Sequence, residues 1–175
     1  MEGIGEFYGG ILHPLLVLPH ALSLLVLGLL VGQGGVRAMR FTYPPFILAL
    51  AAGLFVTGFQ LQPSLPFEKM LLLLAMVCGL LVALQSKLPV AVLALLGAVL
   101  AFLIGMDSGV SGLSRRETFA ALCGCWLGAV LLLILVAGVA EMAERSWQRV
   151  ALRVLGSWTA ASGALVLALA MRPNI

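Results

Sequence analysis

Both histidines of the chain fall in one eight-residue stretch, HPLLVLPH, at positions 13 to 20. Imidazoles bind divalent metals and carry protons, so a pair kept together invites a metal reading. On a regular helix seven steps of about 100° bring His13 and His20 to nearly the same face, but about 10.5 Å apart along the axis. A single ion with bonds near ~2.1 Å cannot reach both unless the backbone departs from that helix. Pro19 supplies a reason for departure, because it removes the bond to the Leu15 carbonyl and crowds the preceding turn. Alternatively Pro14 opens the helix, which leaves His13 near the membrane surface and His20 about two turns deeper, like steps along a path. The plainer alternative is that His13 satisfies a helix end and His20 hydrogen-bonds a neighbouring helix. Ionisable groups in apolar spans are costly to bury, which makes them functional candidates by default.

Two carboxylates join the candidate set. Glu68 opens an apolar run beside Lys69, where a carboxylate also suits a helix N-terminus. If it lies at the same membrane face as His13, the two make a metal-capture pair. Asp107 ends another apolar run ahead of the loop SGVSG, and the sequence favours a capping role over metal ligation there. Cys123 and Cys125 are two apart, about 200° round a helix, and so cannot readily chelate one ion together. With Cys78 they lie inside apolar runs and are read as packing residues. No phosphate-binding loop, nucleophile with a triad, or facing haem-type histidine pair is present, so no enzyme is expected and no bound cofactor is implied with certainty.

The surrounding chain must position these groups within a membrane. Of its 175 residues, 62% are hydrophobic and 10% charged, with a mean hydropathy of +1.16. Soluble domains run near ~45–50% apolar and ~25% charged. The expected architecture is an all-α membrane protein, one compact bundle of about six transmembrane helices over 11–32, 44–61, 67–85, 88–106, 118–140 and 154–171. Each span approaches the ~20 residues that cross a bilayer. Continuous rather than alternating apolar runs argue against a barrel. The second span is expected to open on Pro44-Pro45, and the short QSKLP segment to fold the third and fourth into a hairpin. The acidic start MEGIGEFY reads as a tail before a retained first span, not as a signal peptide.

Arg37, Arg40, Lys87, Arg145, Arg149 and Arg153 fall on one side of this layout, against Lys69, Arg115, Arg116 and Arg172 on the other. That bias places both termini outside. The membrane expected is a bacterial inner membrane or an internal energy-transducing one. A formal charge of +3 distributed between apolar runs is loop anchoring, not a nucleic-acid surface. In EMAERSWQRVALR (141–153), Arg145, Arg149 and Arg153 recur every four residues beside Trp147. This segment is read as a helix extension against anionic headgroups or as a docking surface for a partner. Gly28 with Gly32, Gly105 with Gly109, and Gly124 with Gly128 form G-x-x-x-G pairs, which suit close helix packing within the chain or against other membrane subunits.

The stretch GIGEFYGGILHPLLVLPHALSLLVLGLLVGQ resembles the first span of the HupE/UreJ family, small membrane proteins associated with hydrogenase and urease nickel supply. That family's hallmark is H-P-x-x-G-x-D-H, which His13, Pro14 and His20 match. The resemblance continues through LPFEKMLLLLAMVCGLLVALQSKLP, with Glu68 in the place of the family's acidic residue. It reaches LAFLIGMDSGVSGL, where the family shows an F-H-G-x-x-H-G-type motif. The hallmark Asp is Pro19 here and the hallmark Gly is Val17. In the fourth span Ile104 and Ser108 stand for the histidines, while Gly105 and Gly109 survive. The resemblance implies a permease or metal-handling protein for a divalent ion such as nickel, with His13, His20, Glu68 and Asp107 as candidate ligands. Two imidazoles alone are an incomplete shell, so the depleted motif also fits a non-transporting accessory or structural subunit of a larger membrane complex.

Overall fold

The structure is a computed structural model that describes residues 4–61, 63, 65–109 and 112–171, with only the backbone of Ile4. Arg172 and Glu2, which entered the charge count and the tail, lie outside the described residues. Among those residues seven helices and no strands are present: α1 (Ile4–Leu16), α2 (Leu18–Gln33), α3 (Gly35–Gly58), α4 (Phe67–Ala83), α5 (Val90–Asp107), α6 (Arg115–Glu141) and α7 (Ser146–Ala170). Four of them, α3, α5, α6 and α7, are long and apolar enough to cross a membrane, and α1 with α2 make a fifth if counted as one broken span. At 17 residues α4 is at the short end of spanning length. The chain is an integral membrane protein built as an all-helical bundle.

The first span differs most from the sequence reading. Among the described residues helix is present from Ile4, so residues 4–8 of the acidic tail are already helical, and the span bends by 68° between α1 and α2. The bend sits at Val17, which is extended (φ −85°, ψ 108°). Pro14 does not open a helix. It lies inside α1, while Pro19 occupies the first turn of α2, where a missing N–H needs no partner. Pro44 and Pro45 are likewise internal, because α3 starts at Gly35 directly after α2 ends. A membrane helix accommodates such prolines when its neighbours hold the segment in place.

Helices α3 and α4 end alike. Gln60 and Gln85 take left-handed conformations (φ 55° and 50°), and the next amides turn back, Leu61 to the Val56 carbonyl and Ser86 to the Leu81 carbonyl. This closes orphan carbonyls at each C-terminus. Helix α6 starts on a reciprocal cap, with Ser114 accepting from the Glu117 amide while the Glu117 carboxylate accepts from the Ser114 amide.

Helix α5 packs chiefly on α3, α4 on α7, and α6 on both α1 and α2. The QSKLP link therefore joins two helices whose main neighbours lie elsewhere. Glycine sets the close approaches: a Cβ on Gly124 would strike the Phe7 carbonyl, and one on Gly128 the Ile11 carbonyl. Gly28 and Gly32 receive Val136, Ala137 and Ala140 of α6, and Gly105 meets Gly53 and Leu54. These glycines are used for packing within the chain. The α2 N-terminus, the α5 C-terminus and the α6 N-terminus share one end of the bundle. Basic segment 141–153 is at the other end, split by a turn, so that Arg149 and Arg153 ride the first turns of α7 while Arg145 precedes them.

The docking of α1 on α6 can be tested at two glycines of α6. Gly124→Val should lower the thermal stability of the detergent-solubilised protein by about 2 kcal/mol, the scale of overpacking against backbone. Gly138→Ala meets nothing within 4 Å and should be neutral or stabilising by up to about 1 kcal/mol. Equal melting of both variants with the parent would show that α1 does not rest on α6 at Gly124.

Candidate metal site

The bend at Val17 folds the end of α1 back toward the start of α2, and the two imidazoles meet. Their ring centroids are 5.3 Å apart and their planes 67° from parallel. Two imidazoles bound tetrahedrally to one ion through bonds of ~2.1 Å would have centroids about 5 Å apart. The axial separation of a straight helix is thereby removed.

His20 is fully buried, and its Nε2 lies 3.0 Å from Oδ2 of Asp107, the last residue of α5. A carboxylate only accepts, so Nε2 donates. In the neutral ring Nδ1 then holds a free lone pair. That arrangement, carboxylate to imidazole to open nitrogen, orients a metal-ligating histidine and strengthens it as a donor. Both His20 Nδ1 and His13 Nε2 are buried without a hydrogen-bond partner. Buried polar atoms are nearly always satisfied, and two orphan nitrogens on adjoining rings are unusual.

The expectation that Asp107 caps its own helix is overturned. Its carboxylate reaches across to α2, and it is the Ser108 hydroxyl that donates back to the Ile104 carbonyl at 2.6 Å. Thr57 adds a second tie at this end by donating to the Gly105 carbonyl at 2.8 Å, which holds α5 against α3. Asp107 is thus held on a tied-down helix end and aimed at His20.

Glu68 is not brought into this group. It is exposed on the first turn of α4, and it has no side-chain hydrogen bond or ion pair among the described residues. A different carboxylate shares a cavity with His13. A cavity of about 160 Å³ is lined by Glu6, His13, Ser108 and Cys125, with Gly9 and Gly10 in its wall. Glu6 was missed in the sequence, and Ser108 was read only as the residue that stands where the family motif has a histidine. Glu6 precedes His13 by the same seven residues that separate His13 from His20, a signal hidden because the tail was not read as helical. Cys125 turns into the bundle, 3.4 Å from the Ser108 hydroxyl, whereas Cys123 is exposed. That division matches their spacing.

Among the described residues, no three His, Cys, Asp or Glu side chains stand ready to hold an ion together. Beside the two imidazoles, Asp107 has its Oδ2 engaged by His20. What the geometry offers is two imidazole nitrogens, a carboxylate that orients one ring, and an adjoining cavity with a second carboxylate.

The HupE / UreJ protein family matches residues 1–166, nearly the whole chain. The chain belongs to the HupE/UreJ family. Protein HupE of Rhizobium leguminosarum bv. viciae is 28% identical to this HupE/UreJ chain over 160 residues, covering 90% of the chain and 82% of that relative. No solved structure matches it. The family match extends through α5 and α6 into α7, beyond the first four spans on which the sequence motifs were recognised.

Removal of Asp107 leaves an imidazole buried without its acceptor. Asp107→Ala should destabilise the solubilised protein by about 1.5–3 kcal/mol, and in a double-mutant cycle with His20→Ala the two losses should be clearly less than additive. Strict additivity would mean that the two side chains do not interact.

Proposed function

We propose that this HupE/UreJ protein handles a divalent metal as cargo, nickel before other ions, and takes it up at the end of the bundle where α1 and α2 meet. The reading has no catalytic step. It rests on one observation, the pair of buried, unpartnered imidazole nitrogens on rings 5.3 Å apart at the break in the first span. Imidazole suits nickel, and the family is linked to hydrogenase and urease nickel accessory roles.

In this reading His13 Nε2 and His20 Nδ1 are the first donors to the arriving ion. Asp107 holds the His20 ring and offsets the incoming charge, and Glu6 in the adjoining cavity attracts the cation. Water or a further side chain completes the shell. Such a weak, open set suits an ion that must leave again. The positive-inside bias supports an orientation with this end outside and the arginine-rich end in the cytoplasm of a bacterial inner or internal energy-transducing membrane.

One observation favours a second reading, an accessory subunit that handles metal without moving it through. Below the histidines large apolar side chains fill the bundle: Leu24, Leu27, Leu50, Leu100 and Ile104 are all fully buried, with Ser23 and Thr42 as small polar side chains fully buried in the same helices. Permeation would require these side chains to part.

Nickel uptake in cells without their own nickel permeases separates the two. The intact protein should raise nickel accumulation, and a His13→Ala/His20→Ala variant at equal membrane level should return it to background. Asp107→Asn, which removes the charge but keeps a hydrogen-bonding shape, should fall between them. Absence of uptake from the correctly inserted parent would rule out nickel permeation and leave the accessory-subunit reading.

A further inference from the structure

In this conformation no ion reaches the histidine nitrogens. His20 is fully buried, and neither His13 Nε2 nor His20 Nδ1 has surface open to solvent. Part of the protein has to move before either atom can meet a ligand, and the ties between helices point to which part. Asp107 joins α5 to α2, Thr57 joins α3 to α5, Trp126 joins α6 to α3, Ser23 joins α2 to α4, and Arg153 joins α7 to α4, each through a side-chain hydrogen bond. Among the described residues α1 has no such tie to any neighbour. Between Gly5 and Leu16 only Gly10 and Pro14 are buried.

What holds α1 is the seam on α6, where Gly10, Gly124 and Gly128 bring backbone against backbone. Lipid is as apolar as the surfaces it would cover, so no hydrophobic force closes that seam, and it rests on van der Waals packing. Unfilled space adjoins it: the cavity of about 160 Å³ shared by Glu6, His13, Ser108 and Cys125, and a groove of about 480 Å³ lined by Phe7 with Phe55, Phe119 and Trp126. At its other end α1 passes into α2 through Val17, the single residue between the two helices, which is extended and stands between Pro14 and Pro19. Pro19 has no N–H for the Leu15 carbonyl, so continuous helix is already interrupted at this junction.

We propose that α1 is a gate, which turns about Val17, comes away from α6 along the glycine seam and opens the route to the histidines. What the gate admits rests on the divalent-metal reading; the motion itself does not. Because His13 rides on α1 and His20 on α2, the two rings meet only when the gate is shut. An ion held by both rings therefore keeps α1 closed, through its greater affinity for that state.

Cys125 is a native reporter of the motion. It is 2% exposed and lines the smaller cavity beside His13, whereas Cys78 is fully buried on α4, away from the seam. Two versions of the full-length chain in detergent, each keeping one of these thiols with the other cysteines replaced by alanine, are treated without metal with a water-soluble maleimide. Labelling is followed by mass spectrometry. An open state populated at roughly 0.1–10% should let Cys125 react at about that fraction of the rate of a free thiol. Cys78 waits for opening of the core and should lag Cys125 by about tenfold or more. Gly128→Ala, whose methyl strikes the Ile11 carbonyl, should prop α1 off α6 and speed Cys125 labelling several-fold, while Cys78, the measure of an intact fold, keeps its rate. Phe7 and Cys123 line one groove, so a Phe7→Cys thiol can be bridged to Cys123 by a short bifunctional reagent that ties α1 to α6. The bridge should slow Cys125 to the rate of Cys78 and bring nickel uptake by cells to background. Equal reactivity of Cys125 and Cys78 in the parent overturns the gate, as does Cys125 labelling that persists through the bridge or that Gly128→Ala leaves unchanged. Nickel uptake that continues through the bridged protein also overturns the gate and leaves the metal reading standing. A parent without uptake ends the metal reading instead, and the metal-free labelling still decides the motion.

Discussion

An imidazole buried among apolar helices has to find its partner inside the protein, because neither lipid nor bulk water reaches it. His20 is fully buried, and its partner, Asp107, lies 87 residues further along the chain. Much of the architecture at this end is arranged around that contact. Helix α5 has to stop where its last carboxylate meets the first turn of α2, and the Ser108 and Thr57 hydroxyls hold that end in place. A misplaced α5 would strand a polar ring in hydrocarbon, so the pair selects one register of α2 against α5.

The bend in the first span follows from the same chemistry. As one straight helix, α1 and α2 would hold the two imidazoles at different depths. Broken at Val17, they bring His13 against His20, with α1 laid across α6 on Gly10, Gly124 and Gly128. These glycines matter for what they lack: a side chain at any of them would lift α1 and take His13 with it. The geometry of the histidine pair thus depends on a proline-flanked break and on the bare helix surface where α1 meets α6.

The departures from the family pattern become intelligible in this arrangement. Pro19 stands where the hallmark has its aspartate, so no carboxylate is available beside His20 on α2. Asp107 supplies one from α5 instead, directed at the ring nitrogen. Val17 stands where the hallmark has glycine, and at the break it takes an extended conformation with negative φ that any residue can adopt. The carboxylate–imidazole pair is thus made between α5 and α2, although α2 carries no acidic residue beside His20.

Composition and the length of the apolar runs were enough to establish a helical membrane bundle, because burying backbone in lipid leaves few alternatives and apolar length measures the crossing directly. The paired histidines, the His-Pro step and the family were legible as well, since they are local patterns. Helix starts were less so: prolines at 14, 44 and 45 looked like openings, yet each lies inside a helix whose neighbours hold it. The seven-residue spacing of Glu6 from His13 carries meaning only once α1 is seen to be helical, Ser108 was marked only by its place in the family motif, and Glu68 gave a signal that the fold did not use. The meeting of His13, His20 and Asp107 was decided by tertiary structure alone. Residue types along a chain state which groups need partners, but which helix end arrives beside which ring depends on packing between elements far apart in sequence.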